Sequence, residues 1–451
     1  MNEPISIVTV PSPLDFFQDA QFVAFFRQVA PYIHSFRNRT FVIAFGGELV
    51  AENRLNALVQ DLSLLNALGI KLVVCHGSRP QVNEQMKLKG IEGQFERGLR
   101  ITTKEALECA KEAAGEIRLD IEALFSQGLP NTPMQGARVR VISGNFVTAR
   151  PVGVVDGIDY QHTGRVRKID AQALQQSINA EAVVLLSPLG FSPTGEAFNL
   201  AMEEVATQAA IALNADKLIF LTETSALSDA DGVPLTELEY DDAERLLASN
   251  TFPEIESFFL KHAIQACKAG VERAHLVPYS RDGACLLEVF THDGIGTMIT
   301  EEALEALREA TIEDIGSIIS LIEPLEIDGT LVPRGRDKIE RDVHLFSVLE
   351  HDGRIFGCAA LYEFANEKMG EMACLVVSSE AQGAGDGERI LKHIEQRAKA
   401  AGLKKLFVLT TRTMHWFLKR GFIQGVVEDL PAVRQQTYDW SRKSQILIKT
   451  L

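Results

Sequence analysis

The sequence predicts an α/β fold, with a first domain built on a central, mostly parallel sheet and a smaller C-terminal domain of the α+β class. Over residues 1–300, short apolar runs alternate with segments of helical spacing, the order that places helices on both faces of a parallel sheet. Over residues 301–451, two apolar runs flank Asp352-Gly353, a pair typical of the tight turn in an antiparallel hairpin. The 451 residues are enough for about two or three domains.

The predicted strands of the first domain are short apolar runs that end at polar or glycine-containing loops. They lie at residues 41–45, 71–75, 182–186 and 217–221. Helical spacing over residues 55–68 and 203–213 predicts two of the connecting helices. Because ligands of such sheets bind beyond the carboxyl ends of the strands, the loops Gly46-Gly47 and His76-Gly77 are candidate ligand contacts.

The second domain is expected to open on a helix. Thr311-Ile312-Glu313-Asp314 is typical of a capping box, and the helix is expected to end at about Ile322 because Pro324 interrupts helical hydrogen bonding. Further along the chain, residues 372–377 predict a buried strand and residues 388–401 predict a helix.

The composition narrows the class of protein. A net charge of −16 argues against nucleic acid or an anionic membrane as the main partner. No stretch approaches the ~18 apolar residues that cross a bilayer, and the N-terminal residues lack the basic segment of a signal peptide. The six cysteines show no C-x-x-C spacing and the ten histidines are scattered, so we expect reduced cysteines, no metal site and a cytoplasmic location.

The most informative stretch is Gln382-Gly383-Ala384-Gly385-Asp386-Gly387, which joins the strand at 372–377 to the helix at 388–401. Free backbone N–H groups at such a helix start bind a pyrophosphate, and glycines let the backbone approach the ligand. Alone, the pattern also fits an ordinary glycine turn. The following apolar strand at 406–409 and the run Trp416-Phe417-Leu418-Lys419-Arg420-Gly421-Phe422 favour the first interpretation.

This order of segments resembles the acetyl-CoA-binding half of the GNAT acyltransferases. The resemblance implies that the glycine-rich loop holds the pyrophosphate of acetyl-CoA, a co-substrate rather than a permanently bound cofactor. It also implies that the strand at 372–377 separates from its neighbour, so that its backbone amides bond the pantetheine and polarise the thioester carbonyl. The implied acetyl-CoA contacts are Cys374, Leu375, Val376, Gln382, Gly383, Gly385, Asp386 and Gly387.

Two residues are candidates for proton transfer. Glu371, at the start of the strand, is the candidate base that deprotonates the attacking amine, directly or through water; the alternative is a solvated carboxylate at a sheet edge. The tyrosine that commonly protonates the leaving thiolate in the family is Phe417 here. Thr410, at the end of the neighbouring strand, is therefore the candidate that orients or protonates the leaving sulfur, with Thr411 as the competing choice.

A dicarboxylic amino acid as substrate requires positive charge for its carboxylates, and arginine binds carboxylates bidentately. Arg334 and Arg442 lie in segments that resemble the glutamate sites of bacterial N-acetylglutamate synthases. The neighbouring Arg336 and Lys443 are alternatives for this role, and exposed surface cations are the alternative interpretation of both segments.

Several segments of residues 20–300 resemble the amino-acid kinase family, and acetylglutamate kinase in particular. They include Val42-Ile43-Ala44-Phe45-Gly46-Gly47, His76-Gly77-Ser78-Arg79-Pro80 and Asp293-Gly294-Ile295-Gly296-Thr297-Met298. The family's first-strand lysine is Ala44 here, and two glycines of its phosphate loop are Ser78 and Arg79. Glu203 replaces the aspartate that organises the catalytic lysines. Because phosphoryl transfer depends on positioned positive charge, we expect this domain to be catalytically degraded.

The same resemblance implies a regulatory role for the first domain. In arginine-inhibited acetylglutamate kinases, the ligand lies beside an extra N-terminal helix, which residues 22–36 resemble, and the family's N-terminal helices interlace dimers into a hexamer. The implied arginine contacts are Tyr32, Lys217, His275, Glu288, Gly294 and Gly296. Glu288 suits a guanidinium, and Lys217 fits either the ligand carboxylate or a strand cap. Tyr32 and His275 also fit structural roles. We expect a homo-oligomer, with a hexamer as the expected size.

The join of a degraded kinase-like domain at 1–300 to a GNAT domain at 301–451 resembles the N-acetylglutamate synthase family over essentially the whole chain. It implies acetyl transfer from acetyl-CoA to L-glutamate at the start of arginine biosynthesis, with feedback inhibition by L-arginine. The alternatives are an active acetylglutamate kinase with an appended acetyltransferase, a non-enzymatic arginine sensor, and a GNAT enzyme with another acceptor such as aspartate or a protein lysine. Ala44 argues against the first, the glycine-rich loop against the second, and the paired arginines against a protein lysine.

Overall fold

The structure is a computed structural model that describes residues 19–96, 98–127, 139–223, 227–229, 232–249, 252–291, 294–301, 305–351, 353–378 and 385–451. The chain divides into two compact units, Met1–Glu302 and Ala303–Leu451, called unit 1 and unit 2.

Unit 1 alternates strands and helices along the chain. Its described strands are β1 (Thr40–Phe45), β2 (Lys71–His76), β3 (Gln94–Glu96), β4 (Leu99–Ile101), β5 (Val141–Ser143), β6 (Val147–Pro151), β7 (Val154–Val155), β8 (Ile158–Asp159), β9 (Gly164–Ile169), β10 (Val183–Leu186), β11 (Leu189–Phe191), β12 (Ala197–Asn199), β13 (Lys217–Thr222), β14 (Glu237–Glu239), β15 (Arg273–Pro278) and β16 (Thr297–Thr300). Its described helices are α1 (Asp19–Phe36), α2 (Gly47–Ala51), α3 (Leu55–Ala67), α4 (Arg79–Leu88), α5 (Lys104–Gln127), α6 (Ala171–Asn179), α7 (Met202–Leu213), α8 (Tyr240–Ala248), α9 (Glu254–Lys268) and α10 (Ala284–Phe290).

The main sheet of unit 1 has the order β14-β16-β15-β13-β1-β2-β10-β5 in the part of the chain that is described. Every pairing is parallel except β15 with β16. The central strand β1 is buried on both faces, so that Val42 and Ala44 join the core with α7 and α9, whereas Ile43 and Phe45 join the core with α3 and α10. The predicted mostly parallel sheet with helices on both faces is confirmed.

Unit 2 combines one sheet with helices on its faces. Its described strands are β17 (Glu305–Glu309), β18 (Phe346–His351), β19 (Arg354–Phe364), β20 (Met369–Val377), β21 (Lys405–Thr410), β22 (Ile423–Gln424) and β23 (Gln445–Thr450). Its described helices are α11 (Ile315–Ile327), α12 (Arg336–Asp342), α13 (Asp386–Ala400), α14 (Met414–Leu418) and α15 (Ala432–Gln436).

The sheet of unit 2 has the order β17-β18-β19-β20-β21-β23-β22. Among its described pairings, β20 with β21 is parallel and the others are antiparallel. The predicted hairpin is confirmed, since β18 pairs with β19 up to His351 opposite Arg354, while Asp352 lies outside the described residues. The α+β class of this unit is confirmed.

The predicted end of the first helix of unit 2 is wrong. Helix α11 continues through Pro324 to Ile327. The proline removes one helical N–H donor, but buried Ile318 and Ile322 and the partly buried Leu325 pack against the sheet on both sides of it. This apolar packing holds the last turn in place.

Candidate functional site

Strands β20 and β21 separate in the middle of the sheet of unit 2. Their described pairing covers Met369, Gly370 and Glu371 of β20, although β20 continues to Val377. From Met372 to Val376, the edge of β20 that faces β21 has no described pairing with β21 and can form backbone hydrogen bonds to a ligand. This is the separation that the sequence predicts for the acetyl-CoA strand.

A bulge in β20 accompanies the separation. The register with β19 shifts between Cys358 and Ala360, and Cys374 takes a left-handed conformation with φ of 53°. The buried Cys358 thiol donates to the Cys374 carbonyl at 3.6 Å. The bulge thus changes the direction of the strand at Cys374, Leu375 and Val376, the residues predicted to contact pantetheine.

Helix α13 begins at the edge of the gap. Gly385 has φ of 97° and precedes its first turn, where Asp386 is buried and bonds Arg389 at 3.3 Å. A Cβ at Gly387 would lie 3.2 Å from the indole of Trp416. Side-chain bulk at Gly387 would therefore press on Trp416, whereas a Cβ at Gly385 would have nothing within 4 Å. The predicted contacts Gln382 and Gly383 lie outside the described residues.

Glu371 occupies the last paired position before the strands separate. It is 8% exposed, which argues against the alternative of a solvated edge carboxylate. Both of its oxygens accept bonds from Arg434 on α15, from Nε to Oε2 at 2.8 Å and from Nη2 to Oε1 at 3.1 Å. The carboxylate is thus present and oriented, and it is held by a partner that the sequence did not predict.

Arg334 lies beside Glu371. Its Nη1 donates to the Tyr362 hydroxyl at 2.8 Å, and this hydroxyl donates to Asp342 at 3.0 Å. Tyr362 is the register partner of Glu371, so the guanidinium lies at the level where the strands separate. Its Nε is buried without a hydrogen-bond partner among the described residues. A buried, unpaired donor is costly, so a shift of the guanidinium that brings Nε to a ligand carboxylate would be favourable.

Arg442 is half-buried and contacts the loop that follows α11. Its guanidinium donates to the carbonyls of Gly329, Thr330 and Leu331 at 3.0 to 3.2 Å. A ligand carboxylate at Arg442 therefore competes with these carbonyls. Arg336 and Lys443 are the alternative carboxylate-binding residues. Arg336 is exposed and pairs with Glu340 at 2.7 Å. Lys443, the residue after Arg442, has a left-handed backbone conformation.

Thr410 ends β21 on the other side of the gap. Its hydroxyl oxygen accepts the N–H groups of Arg412 and Thr413 at 3.3 and 3.0 Å and lies 2.8 Å from the Thr413 hydroxyl. A hydroxyl accepts with two lone pairs, so the Thr410 O–H is the donor in the contact with the Thr413 hydroxyl. Phe417, where the tyrosine of the family would stand, is buried in the core. The competing choice, Thr411, is exposed.

The residues predicted to bind arginine form a connected cluster in unit 1. Lys217 Nζ lies 3.4 Å from His275 Nε2, and His275 Nδ1 lies 2.7 Å from Glu288 Oε1. The second oxygen of Glu288 accepts the N–H groups of Ile295 and Gly296 at 2.8 and 2.9 Å. These contacts assign the proton of neutral His275 to Nδ1.

Burial, followed by the adjacent Lys217, lowers the pKa of His275 to about 4. The pKa of Glu288 is also lowered, because the bonds from His275 and the two backbone amides outweigh its burial. The cluster therefore presents a cation and an anion joined by a neutral ring at pH 7, which are the charges that an amino acid with a guanidinium requires.

The two glycines of this cluster have steric roles. Gly294 has φ of 60°, and a Cβ there would lie 2.6 Å from Glu288 Oε2; a Cβ at Gly296 would collide with the Leu276 carbonyl. Tyr32 lies on α1, where its ring is 6.1 Å from that of Phe36, and Phe36 in turn lies 5.0 Å from Lys217 Nζ. Tyr32 thus neighbours the cluster through Phe36.

The kinase-like loops of unit 1 are filled by the chain itself. Ala44 is buried in the apolar core, and Gln81 donates to the Gly47 carbonyl at 2.7 Å. The Glu48 carboxylate lies so close to Gly46 that a Cβ there would overlap it. A carboxylate in a phosphate-binding loop repels phosphate, and the loss of kinase activity stays a prediction.

The described residues contain no group of three or more His, Cys, Asp and Glu side chains that could bind a metal ion. No helix among them is long and apolar enough to cross a membrane.

Comparisons with known proteins agree with this division of the chain. Residues 39–278 match the amino acid kinase family, and residues 322–422 match the acetyltransferase (GNAT) family. An amino-acid acetyltransferase of Ralstonia nicotianae is 59% identical over 434 residues, which cover 96% of each chain, and one of Azotobacter vinelandii is 49% identical over 95% of this chain and 99% of its own. The chain belongs to the amino-acid acetyltransferases.

Solved structures of an amino-acid acetyltransferase also match this chain. The N-acetylglutamate synthase of Neisseria gonorrhoeae, complexed with coenzyme A and L-arginine, is 39% identical, covers 95% of this chain and 99% of its own, and has a TM-score of 0.81. The same protein with coenzyme A and N-acetyl-glutamate gives a TM-score of 0.61 at the same coverage. The predicted enzyme class, an amino-acid N-acetyltransferase, is confirmed.

Sequence analysis of this acetyltransferase missed Arg434 and the Tyr362–Asp342 pair. Arg434 lies 63 residues from Glu371, and Asp342 lies 20 residues from Tyr362. Because no local pattern links residues at such separations, only the paired strands and α15 reveal these contacts.

Proposed function

We propose that the chain transfers the acetyl group of acetyl-CoA to the α-amino group of L-glutamate, giving N-acetyl-L-glutamate and CoA. The observation that supports this best is the opening between β20 and β21, with Glu371 on one side, Thr410 on the other and the unsatisfied Arg334 Nε beside it. Each element of an acetyl transfer to an acidic amino acid has a candidate residue at this place.

Acetyl-CoA lies in the opening in this proposal. The backbone of Cys374, Leu375 and Val376, at the edge of β20 that is not paired with β21, bonds the pantetheine and holds the thioester carbonyl. The start of α13 holds the pyrophosphate with backbone N–H groups and its dipole. Gly383, Gly385 and Gly387 allow the close approach. The coenzyme A in the Neisseria complexes supports this assignment.

L-Glutamate is held by arginine side chains. Arg334 offers a buried, unpaired Nε, and Arg442 exchanges its bonds to the carbonyls of residues 329–331 for a ligand carboxylate. The carboxylates of this substrate balance the positive charge that burial makes costly. The N-acetyl-glutamate bound in the Neisseria protein supports a dicarboxylic acceptor.

The reaction needs one base and one acid. The ammonium of glutamate loses a proton to Glu371, directly or through water, and the free amine attacks the thioester carbonyl. Backbone N–H groups of β20 bond the oxyanion of the tetrahedral intermediate. The C–S bond then breaks, and the Thr410 hydroxyl turns from Thr413 to the CoA thiolate and donates its proton to the sulfur. Thr410 regains a proton, directly or through water, from the attacking nitrogen, which loses its second proton as the amide forms.

Unit 1 is proposed to bind L-arginine as a feedback inhibitor of this first step of arginine biosynthesis. Glu288 pairs with the guanidinium, and Lys217 binds the carboxylate of the ligand. Arginine in the Neisseria complex supports this proposal. A coupling free energy of ~1–3 kcal/mol between effector and active site is typical of such control.

The test is the release of CoA thiol from acetyl-CoA with L-glutamate, repeated across an arginine titration. Glutamate-dependent release that arginine suppresses supports both assignments. Release that is indifferent to arginine contradicts the regulatory role of unit 1. Release with aspartate or a peptide lysine, but not with glutamate, contradicts the proposed substrate.

A further inference from the structure

Arg434 makes the most extensive contact with the candidate base. Its Nε and Nη2 bond the two oxygens of Glu371 separately, at 2.8 and 3.1 Å. The side chains of Glu371 and Arg434 are only 10% and 22% exposed, so water screens the pair weakly. Such a two-point contact fixes the plane of the carboxylate as well as its position.

The guanidinium is itself held from behind. Its Nη1 donates to the carbonyl and to the hydroxyl of Thr437 at 3.2 and 3.3 Å, one turn along α15. The position of Arg434 therefore follows that of the short helix rather than the ligand. Glu371 receives a fixed partner at the last paired position of β20.

Other charged and titratable groups around Glu371 differ from Arg434 in how they act. Arg334 and Cys374 interact with it electrostatically, and Tyr362 stands opposite it in β19. The Tyr362 hydroxyl and the Arg334 Nη1 are bonded to each other, and Asp342 accepts from Tyr362. Among the described side chains, Arg434 is the one that bonds both Glu371 oxygens.

We infer that Arg434 is a positioning residue for acetyl transfer: its guanidinium holds Glu371 in the orientation from which the carboxylate accepts the substrate proton. The inference rests on the proposed role of Glu371 as the base. The bonds from Arg434 occupy one lone pair on each oxygen, and the remaining lone pairs are free to accept the ammonium proton or that of a water molecule. Without the guanidinium, the carboxylate rotates and the accepting geometry is lost.

The experiment compares Arg434→Ala and Arg434→Lys in the full chain by CoA-thiol release. Arg434→Ala is expected to lower kcat about 10- to 100-fold, less than the ~10²–10⁴ that a positioned base contributes because Glu371 itself remains, with KM for acetyl-CoA unchanged within about twofold. Lysine keeps the positive charge but lacks the two parallel N–H donors of a guanidinium, so the kcat of Arg434→Lys is expected to lie between those of the unaltered protein and Arg434→Ala. Millimolar methylguanidinium is expected to restore part of the kcat of Arg434→Ala.

Two further variants test whether a loss of kcat in Arg434→Ala acts through Glu371 or follows from the removal of any positive charge. In a Glu371→Gln background, Arg434→Ala is expected to cause no further loss of kcat, because the two residues act as one unit. Lys392→Ala removes an exposed partner of Glu388, 3.1 Å away on α13, and is expected to leave kcat unchanged.

Several outcomes would overturn the inference. The first is an unchanged kcat in Arg434→Ala. The second is a loss of kcat that methylguanidinium does not restore and that comes with a lower melting temperature and a higher KM for both substrates. If Glu371→Gln alone leaves kcat unchanged, the base assignment fails and this inference fails with it. If Glu371→Gln lowers kcat and Arg434→Ala does not, only this inference fails.

Discussion

Glu288→Gln is the sharpest test of the buried cluster in unit 1. Glu288 accepts from His275 on one oxygen and from the Ile295 and Gly296 amides on the other. Glutamine offers one oxygen and one NH₂ group to these donors. If its oxygen faces the amides, its NH₂ faces His275 Nδ1, and the ring must carry its proton on Nε2, which points at the Lys217 ammonium.

Every arrangement of the glutamine therefore leaves two donors facing each other inside the protein. A buried donor that loses its acceptor costs about 1–3 kcal/mol, and removing one partner of a buried ion pair costs about 3–5 kcal/mol. Lys217 is 5% exposed and also loses the negative charge that balances it across the ring. We expect a loss of about 3 kcal/mol in the free energy of unfolding of unit 1.

The assay is urea denaturation followed by circular dichroism, with arginine binding measured by calorimetry on the same samples. The control is Glu244→Gln, which removes the same charge from an exposed pair with Lys268 at 2.6 Å and is expected to cost under about 1 kcal/mol. Arginine affinity is expected to fall in Glu288→Gln only. A loss of stability as small as that of the control would refute the bonding assigned to His275.

Three further predictions concern pH, the proton donor and the coenzyme site. Burial lowers the pKa of three histidines of unit 1 to about 4, and these are His76, His262 and His275. Because unfolding returns their pKa values to about 6.5, the stability that the neutral histidines contribute is lost as pH falls from about 6.5 to 4. The pKa of Asp61, raised to about 7, acts in the opposite direction. The free energy of unfolding, measured by urea titration, is therefore expected to change by at most about 2–3 kcal/mol per pH unit. Thr410→Val is expected to lower kcat with KM for acetyl-CoA unchanged, whereas Thr410→Ser keeps most of the kcat. Equal kcat values in the valine and serine variants would contradict the donor role. Gly387→Val places side-chain atoms against Trp416 and is expected to raise KM for acetyl-CoA more than tenfold, and an unaltered KM would contradict a tight coenzyme loop.

Local sequence patterns were sufficient where an element is specified by its own residues. The buried run at 217–221 predicts β13, because a strand covered on both faces is apolar throughout. The hairpin around Gly353 follows from its turn residues. By contrast, Pro324 misled the prediction of α11, since the packing of isoleucines before it and Leu325 after it outweighs the lost hydrogen bond.

The chemistry of the site was predictable as residue types but not as contacts. The resemblance to known families supplied Glu371, Thr410 and Arg334, yet their hydrogen bonds depend on which strands pair and where pairing stops. The register of β20 with β19 places Tyr362 opposite Glu371, and the fold of residues 432–442 brings Arg434 to both oxygens. Neither follows from periodicity, because the first contact depends on the register of two strands and the second joins residues that are separated by helices and strands.

The interior place of β23 has a consequence for how the site opens. Six paired positions join β23 to β21, from Lys405 opposite Thr450 to Thr410 opposite Gln445, and β22 covers the other edge of β23. Thr410 and the segment that carries Arg442 are therefore anchored by one central ladder. Amide hydrogen exchange in that ladder should be among the slowest in unit 2, so that its protection factors report the free energy of exposing Thr410 and the Arg442 segment in a single cooperative event.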